Sequence, residues 1–211
     1  MRSRRSRPLR RAAAEATLLF VWLTSLLPLR ACRVVGRGLG LVAYWFVPRV
    51  RKVGLENVDR AYGDSLTARE KRSIARHAAM NIGIVGAEFS HGPRLPTERG
   101  RTWFDVEGIE HLDPAKGCLF VSGHMGNWEW MFGMLACVGI HVAGVVRPLD
   151  VQRLDEYVDR TRRAAGSETI GRDNAGPEII RRIRGGEAVG LLIDQSPMQN
   201  GVPVTFFGRA C

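Results

Sequence analysis

Residues 118–146 read CLFVSGHMGNWEWMFGMLACVGIHVAGVV. The apolar run CLFVS (118–122) gives way to a short polar loop, GHMGN. The next stretch, WEWMFGMLACVG, is expected to be a helix with Asn127 as its N-cap, and HVAGVV (141–146) is a second strand. Strand, loop, helix, strand is the repeating unit of a parallel sheet.

The alternation continues downstream. VQRLDEYVDRTRRAAG (151–166) reads as a helix, SETI (167–170) as a weaker strand, and PEIIRRIRGG (177–186) as a helix with proline at its start and glycine at its end. AVGLLI (188–193) is a buried strand by its continuous apolarity, and VPVTFF (202–207) reads as another. The expected fold is α/β, a mostly parallel sheet with flanking helices. Upstream, Thr67 and Glu70 form a capping box that opens a helical stretch running to about Phe89, and GPRLPTERG breaks it.

A chain of 211 residues with 45% hydrophobic content can bury a real core, so one domain plus an appendage is expected. The net charge of +10 is confined to residues 1–60, where thirteen Lys and Arg face only Glu15, Glu56 and Asp59; eighteen residues of each sign make the remainder neutral. That confinement argues against nucleic acid, which would ask for basic residues spread over a folded face. The N-terminus opens MRSRRSRPLRR and runs into a stretch that is uncharged from Ala16 to Leu29. As a helix this stretch is about 21 Å long, short of the roughly 30 Å hydrocarbon core. A second apolar run, GLGLVAYWFVP (38–48), follows Arg30, Arg33 and Arg37.

A secretory signal would have the same basic start, and LRAC, ending at Cys32, has some look of a lipoprotein cleavage box. Arg30 suits that box badly and the small-x-small pattern is missing. A buried core helix is the other reading, but arginines directly ahead of an apolar run suit lipid headgroups better. Residues 1–50 are therefore expected to be a basic membrane anchor, tilted or shallowly inserted with its basic end cytoplasmic, and residues 51–211 the globular domain. Cys32, Cys118, Cys137 and Cys211 show no paired or metal-ligand spacing and read as small buried hydrophobes of a reducing compartment.

In parallel sheets, ligands sit beyond the carboxyl ends of the strands. Those ends lead here into His124, Arg147, Arg172 and Asp194 with Gln195. Glu129 stands about one turn into the helix that follows His124, so its carboxylate can fix the imidazole tautomer and leave the other ring nitrogen to take a proton. The bare spacing of the two residues is weak support; the strand-end setting carries the argument. No nucleophile accompanies them: G-x-S-x-G is absent and Cys118 lies inside a strand. H-E-x-x-H is also missing, and no third metal ligand is marked. The pair reads as a general base acting on a substrate hydroxyl. Arg147 and Arg172 are candidates for gripping phosphate or countering an oxyanion, although surface ion pairing would explain any one of them.

GHMGNWEW with its H-x-x-x-x-E, VVRPLD, RRIRGGEAVGLLIDQS and GVPVTFFG resemble, in that order, the lipid A biosynthesis lauroyl/myristoyl acyltransferases of the wider lysophospholipid-acyltransferase-like superfamily, and GLENVDRAYGDSLTAREKRSIARHAAMNIG resembles the segment behind that family's membrane helix. The resemblance implies a glycerol-3-phosphate-acyltransferase-like fold, an inner-membrane location with the catalytic domain facing the cytoplasm, and acyl transfer to a hydroxyl of a lipid A precursor. His124 and Glu129 map onto the family's catalytic dyad. Arg147, Arg172, Asp194 and Asn127 become substrate-binding candidates. The implied donor is an acyl thioester of acyl carrier protein, with coenzyme A as the other possibility, and neither metal nor other cofactor is required. The implied partners are acyl carrier protein, the lipid acceptor and the membrane. Another glycolipid or phospholipid could be the acceptor, and a chain without turnover could persist as a membrane-bound lipid-binding protein. The chain ends at FFGRAC, where the family continues, so the acyltransferase domain is expected to be C-terminally truncated.

Overall fold

The computed structural model describes residues 7–113, 116–173, 175–195 and 202–210. Cys211 and the arginine-rich start before Arg7 lie outside them. The chain divides into two compact units, one of residues 1–26 and 89–193, the other of residues 27–88 and 194–211.

The first unit is built on four parallel strands, β1 (Cys118–Ser122), β2 (Val142–Val146), β3 (Glu168–Gly171) and β4 (Ala188–Leu192), in the order β1-β4-β2-β3. Its helices are α1 (Arg7–Ser25), α5 (Glu98–Arg101), α6 (Trp128–Cys137), α7 (Gln152–Ala164) and α8 (Ala175–Arg184). Strand alternation sorts the packing. Ala143, Val145, Ile170 and Val189 point to one face and meet Ala175, Ile179 and Ile183 of α8. On the other face Gly144 and Gly190, opposite one another on β2 and β4, make room for Phe132 of α6. A β-carbon on Gly190 would stand 2.1 Å from the Phe132 ring, and one on Gly144 2.8 Å from it. Helix α6 therefore sits against the sheet at a distance that only glycine permits.

Helix α1 begins earlier and ends earlier than the apolar run suggests, and Pro28 separates it from α2 (Leu29–Phe46) in the second unit. Among the described residues no helix is long and apolar enough to cross a membrane. One side of α1 is covered by protein: Ala14, Val21 and Thr24 are buried, Arg10 pairs with Asp150 at 2.8 Å, Glu15 with Arg153 at 2.7 Å, and Arg94 donates to the Ser25 carbonyl at 2.6 Å.

The second unit holds α2, α3 (Pro48–Tyr62) and α4 (Ala68–Glu88). The capping box is present at the start of α4: the Thr67 amide donates to Glu70 Oε2 at 2.8 Å, and the Glu70 amide to Thr67 Oγ1 at 3.3 Å. Helices α2 and α4 meet backbone to backbone, since a β-carbon on Gly40 would lie 2.2 Å from the Ala79 carbonyl oxygen and one on Gly83 2.2 Å from that of Gly36. The expected strand 202–207 shortens to β5 (Thr205–Phe206), antiparallel to β6 (Arg209–Ala210) and apart from the parallel sheet. The reason is local: Phe207 and Gly208 both take positive φ, the geometry of a tight hairpin turn, and the Phe207 ring packs on Tyr62.

Candidate active site

Strand β1 ends at Ser122, and the five residues before α6 make the loop that carries His124. Gly126 turns this loop through a left-handed conformation, φ 58°. Asn127 then caps α6, its Oδ1 accepting from the Trp130 amide at 3.1 Å. The His124 ring, half-buried, stands edge-on to Trp128 with centroids 5.3 Å apart.

Glu129 lies in the first turn of α6, and both of its oxygens are engaged by one guanidinium. Arg162, in the last turn of α7, donates from Nε to Oε2 at 3.0 Å and from Nη2 to Oε1 at 2.9 Å. The two side chains are only 19% and 22% exposed, which makes this forked pair stronger and stiffer than a surface contact. A carboxylate gripped at both oxygens cannot swing, and negative charge at a helix N-terminus is favoured by the helix dipole. Arg162 was not legible in the sequence. It stands beside Arg163 in DRTRRAAG, and nothing there says which of the two turns inward; Arg163 pairs instead with Asp159 at 2.7 Å.

Aromatic rings pack against one another in the same unit. Trp130 stacks on Trp103 with centroids 5.7 Å apart, and Trp103 lies against His91, which is fully buried with its Nδ1 2.9 Å from the Ser90 hydroxyl. Phe89 packs on Tyr157 of α7, so the 3₁₀ turn Phe89–Arg94 backs the helix that supplies Arg162.

Arg147 and Arg172 leave the ends of neighbouring strands. Val146 and Gly171 are paired across β2 and β3, and the Arg172 amide donates to the Val146 carbonyl at 2.8 Å. Arg147 is more than half exposed, with Asp150 at 3.9 Å; Asp150 also receives Arg10. His124, Asn127, Glu129, Arg147 and Arg172 belong to the sheet unit, and Asp194 with Gln195 to the other. Burial pushes the Cys118 and Cys137 thiols up, which makes both poor nucleophiles.

His124 follows the end of β1, the clamped carboxylate of Glu129 lies in the first turn of α6, and Arg147 and Arg172 follow the ends of β2 and β3. An imidazole can take a proton from a hydroxyl, and guanidinium groups can bind anionic oxygen.

Residues 1–210 match the family described as "Bacterial lipid A biosynthesis acyltransferase". Among curated proteins the chain is similar to the "Lipid A biosynthesis palmitoleoyltransferase" of Escherichia coli (strain K12) and to the "Lipid A biosynthesis acyltransferase" of Shigella flexneri. With each it is 25% identical over 185 residues, covering 86% of this chain and 60% of the relative. The chain thus spans about 60% of the length of these relatives.

Proposed function

Since this chain belongs to the bacterial lipid A biosynthesis acyltransferase family, we propose that it moves a fatty acyl group from an acyl thioester, carried on acyl carrier protein, to a hydroxyl of a lipid A precursor at the cytoplasmic face of the inner membrane. The reaction is a single displacement. One nitrogen of His124 accepts the proton of the acceptor hydroxyl as its oxygen attacks the thioester carbonyl. The carbon–sulfur bond then breaks, and the departing thiolate takes the proton from the imidazolium. Ester and free thiol are the products, and no acyl-enzyme forms.

The observation that carries this reading is the fixed Glu129 one turn beyond His124 at the end of a parallel strand, clamped by Arg162 at 2.9 and 3.0 Å. A carboxylate held in place can steady an imidazolium as it forms. Asn127 caps the helix that bears Glu129, and its assignment to substrate binding rests on the family resemblance alone. Arg147 and Arg172 supply positive charge for a phosphate of donor or acceptor. Asp194, as the acid that resembles the family's D-Q segment, is assigned to substrate binding on that resemblance alone.

The test is transfer of a labelled chain. The full chain, in vesicles, is given labelled acyl-acyl carrier protein together with a lipid A precursor, and lipids and free thiol are followed by mass spectrometry and a thiol reagent. The expected result is one new ester on the precursor for each thiol released. Thiol release at the background rate, or ester on a different glycolipid or phospholipid only, would overturn the assigned reaction or its acceptor.

A further inference from the structure

From Glu15 to Glu56 the chain contains no acidic residue, yet Arg30, Arg33, Arg37, Arg49, Arg51 and Lys52 fall between them. The six basic residues lie on α2 and the start of α3. Within the second unit α2 already has one side occupied. Cys32, Gly36, Gly40 and Tyr44, four residues apart, are its buried stripe, and Gly36 and Gly40 lie against the α4 backbone. At about 3.6 residues per turn, Val34, Val35, Leu39, Val42, Trp45 and Phe46 fall within about 140° of arc on the side away from that stripe. They are uncovered: Val34 is 70% exposed, Trp45 55% and Phe46 79%. Arg30 and Arg37 line the flank between the arc and the buried stripe, and Arg33 stands at the edge of the stripe. Arg33 is tied to the buried carboxylate of Glu88, while Arg30 and Arg37 are exposed. Past the helix end the apolar surface continues through Val47, Val50 and Val53, all exposed, with Arg49, Arg51 and Lys52 among them.

We propose that this outward face of α2, with its elbow into α3, docks in the plane of an anionic phospholipid surface, its apolar arc sunk among the acyl chains and its arginines at the phosphates. The inference rests on the reading that the protein works at a membrane, and adds where and how it touches one. A bilayer fits this patch better than a protein partner does. The arc on α2 is apolar and is flanked on one side by exposed arginines, which complement anionic headgroups over a hydrocarbon interior. A helix lying flat also fits, since α2 has a whole side committed to α4. A tryptophan and a phenylalanine at the exposed end occupy the positions that interfacial aromatics favour.

The experiment uses the full chain and sealed vesicles of phosphatidylethanolamine with phosphatidylglycerol, compared with vesicles of phosphatidylcholine alone. Flotation measures binding, and circular dichroism checks each variant for native helix content. The expected result is binding to the anionic vesicles that falls with added salt, and a loss of about tenfold or more for the Val42→Ser/Phe46→Ser variant. Arg49→Gln/Lys52→Gln should weaken binding to anionic vesicles selectively. Trp45 should be quenched by lipids brominated near the headgroup end of the chain more than by lipids brominated at the chain terminus, read as the part of the signal that Trp45→Phe removes. No binding by the wild-type chain would overturn the membrane reading itself. Wild-type binding that survives Val42→Ser/Phe46→Ser but is lost in Leu19→Ser/Leu23→Ser would place the contact on α1 and overturn the inference alone. Deep quenching of Trp45 would mean a crossing segment. A self-associating chain whose dimer, rather than vesicle binding, is abolished by Val42→Ser/Phe46→Ser would mean that a second copy covers the patch.

Discussion

Glu129 is held at both oxygens, so two different replacements of Arg162 should act differently. Arg162→Leu leaves a largely buried carboxylate without its cation, and stability should fall by about 2 kcal/mol along with turnover. Arg162→Lys keeps the charge but loses the fork, so thermal stability should largely recover while turnover stays depressed by about tenfold. Thermal melts and steady-state rates on both variants check this; equal recovery of the two quantities would make Arg162 a purely structural partner. Arg147, by contrast, is more than half exposed with its acid 3.9 Å away. An exposed pair of that kind contributes roughly 0 to 1 kcal/mol, so Arg147→Lys should leave the melting temperature unchanged and lower turnover only if Arg147 touches substrate. The placement of His124 in the loop, Asn127 at the cap and Glu129 in the first turn of α6 was legible in the sequence, because a strand, its loop and the next helix are local geometry. Arg162 reaches Glu129 from 33 residues away, where no local pattern marks it.

At the scale of elements, α6 is placed by the slot under Phe132. Gly190→Ala puts a methyl group 2.1 Å from the ring, so either the helix or the strand must move. A stability loss of about 1–3 kcal/mol is expected, with a fall in turnover, and Phe132→Leu in the same chain should restore part of both. Melting curves and rates on the single and double variants decide it. Helix α8 is fixed by another device. Arg182, mostly buried, donates to Glu178, Glu168 and Glu187, and hydrogen bonds from Arg181 and then Arg182 hold the Glu178 carboxyl down at about 2. A carboxylate with a folded value below its unfolded one stabilises the protein above about pH 4.5, and that stabilisation drains away as pH falls toward 2. The melting temperature of Arg182→Gln should therefore lie below wild type at pH 7, and the gap should narrow as pH falls from 4.5 toward 2. Strands β1 to β4 and helices α6, α7 and α8 could be read to within a residue or two, because their apolar periods are regular. The last strand could not, because VPVTFF alternates well enough while the turn at Phe207 depends on a positive φ at a residue that seldom adopts it.

For the molecule as a whole, α1 shows what local reading misses. Its apolar run resembles an anchor, but its ion pairs to Asp150 and Arg153 join residues 140 and 138 positions apart, and its buried face belongs to the sheet unit. Without lipid, Val21→Asp should therefore destabilise the protein by several kcal/mol, by burying an unpaired charge, while Leu19→Asp on the exposed face should be nearly neutral. Equal effects in a thermal melt would deny the docking. The central claim concerns the reaction. If His124 is the base that takes the hydroxyl proton, turnover of acyl-acyl carrier protein by the full-chain His124→Ala variant is the most direct test, measured beside its melting temperature. A loss of about a hundredfold or more, with the melting temperature close to wild type, is the predicted outcome. Turnover near the wild-type rate in a folded His124→Ala protein would contradict the account.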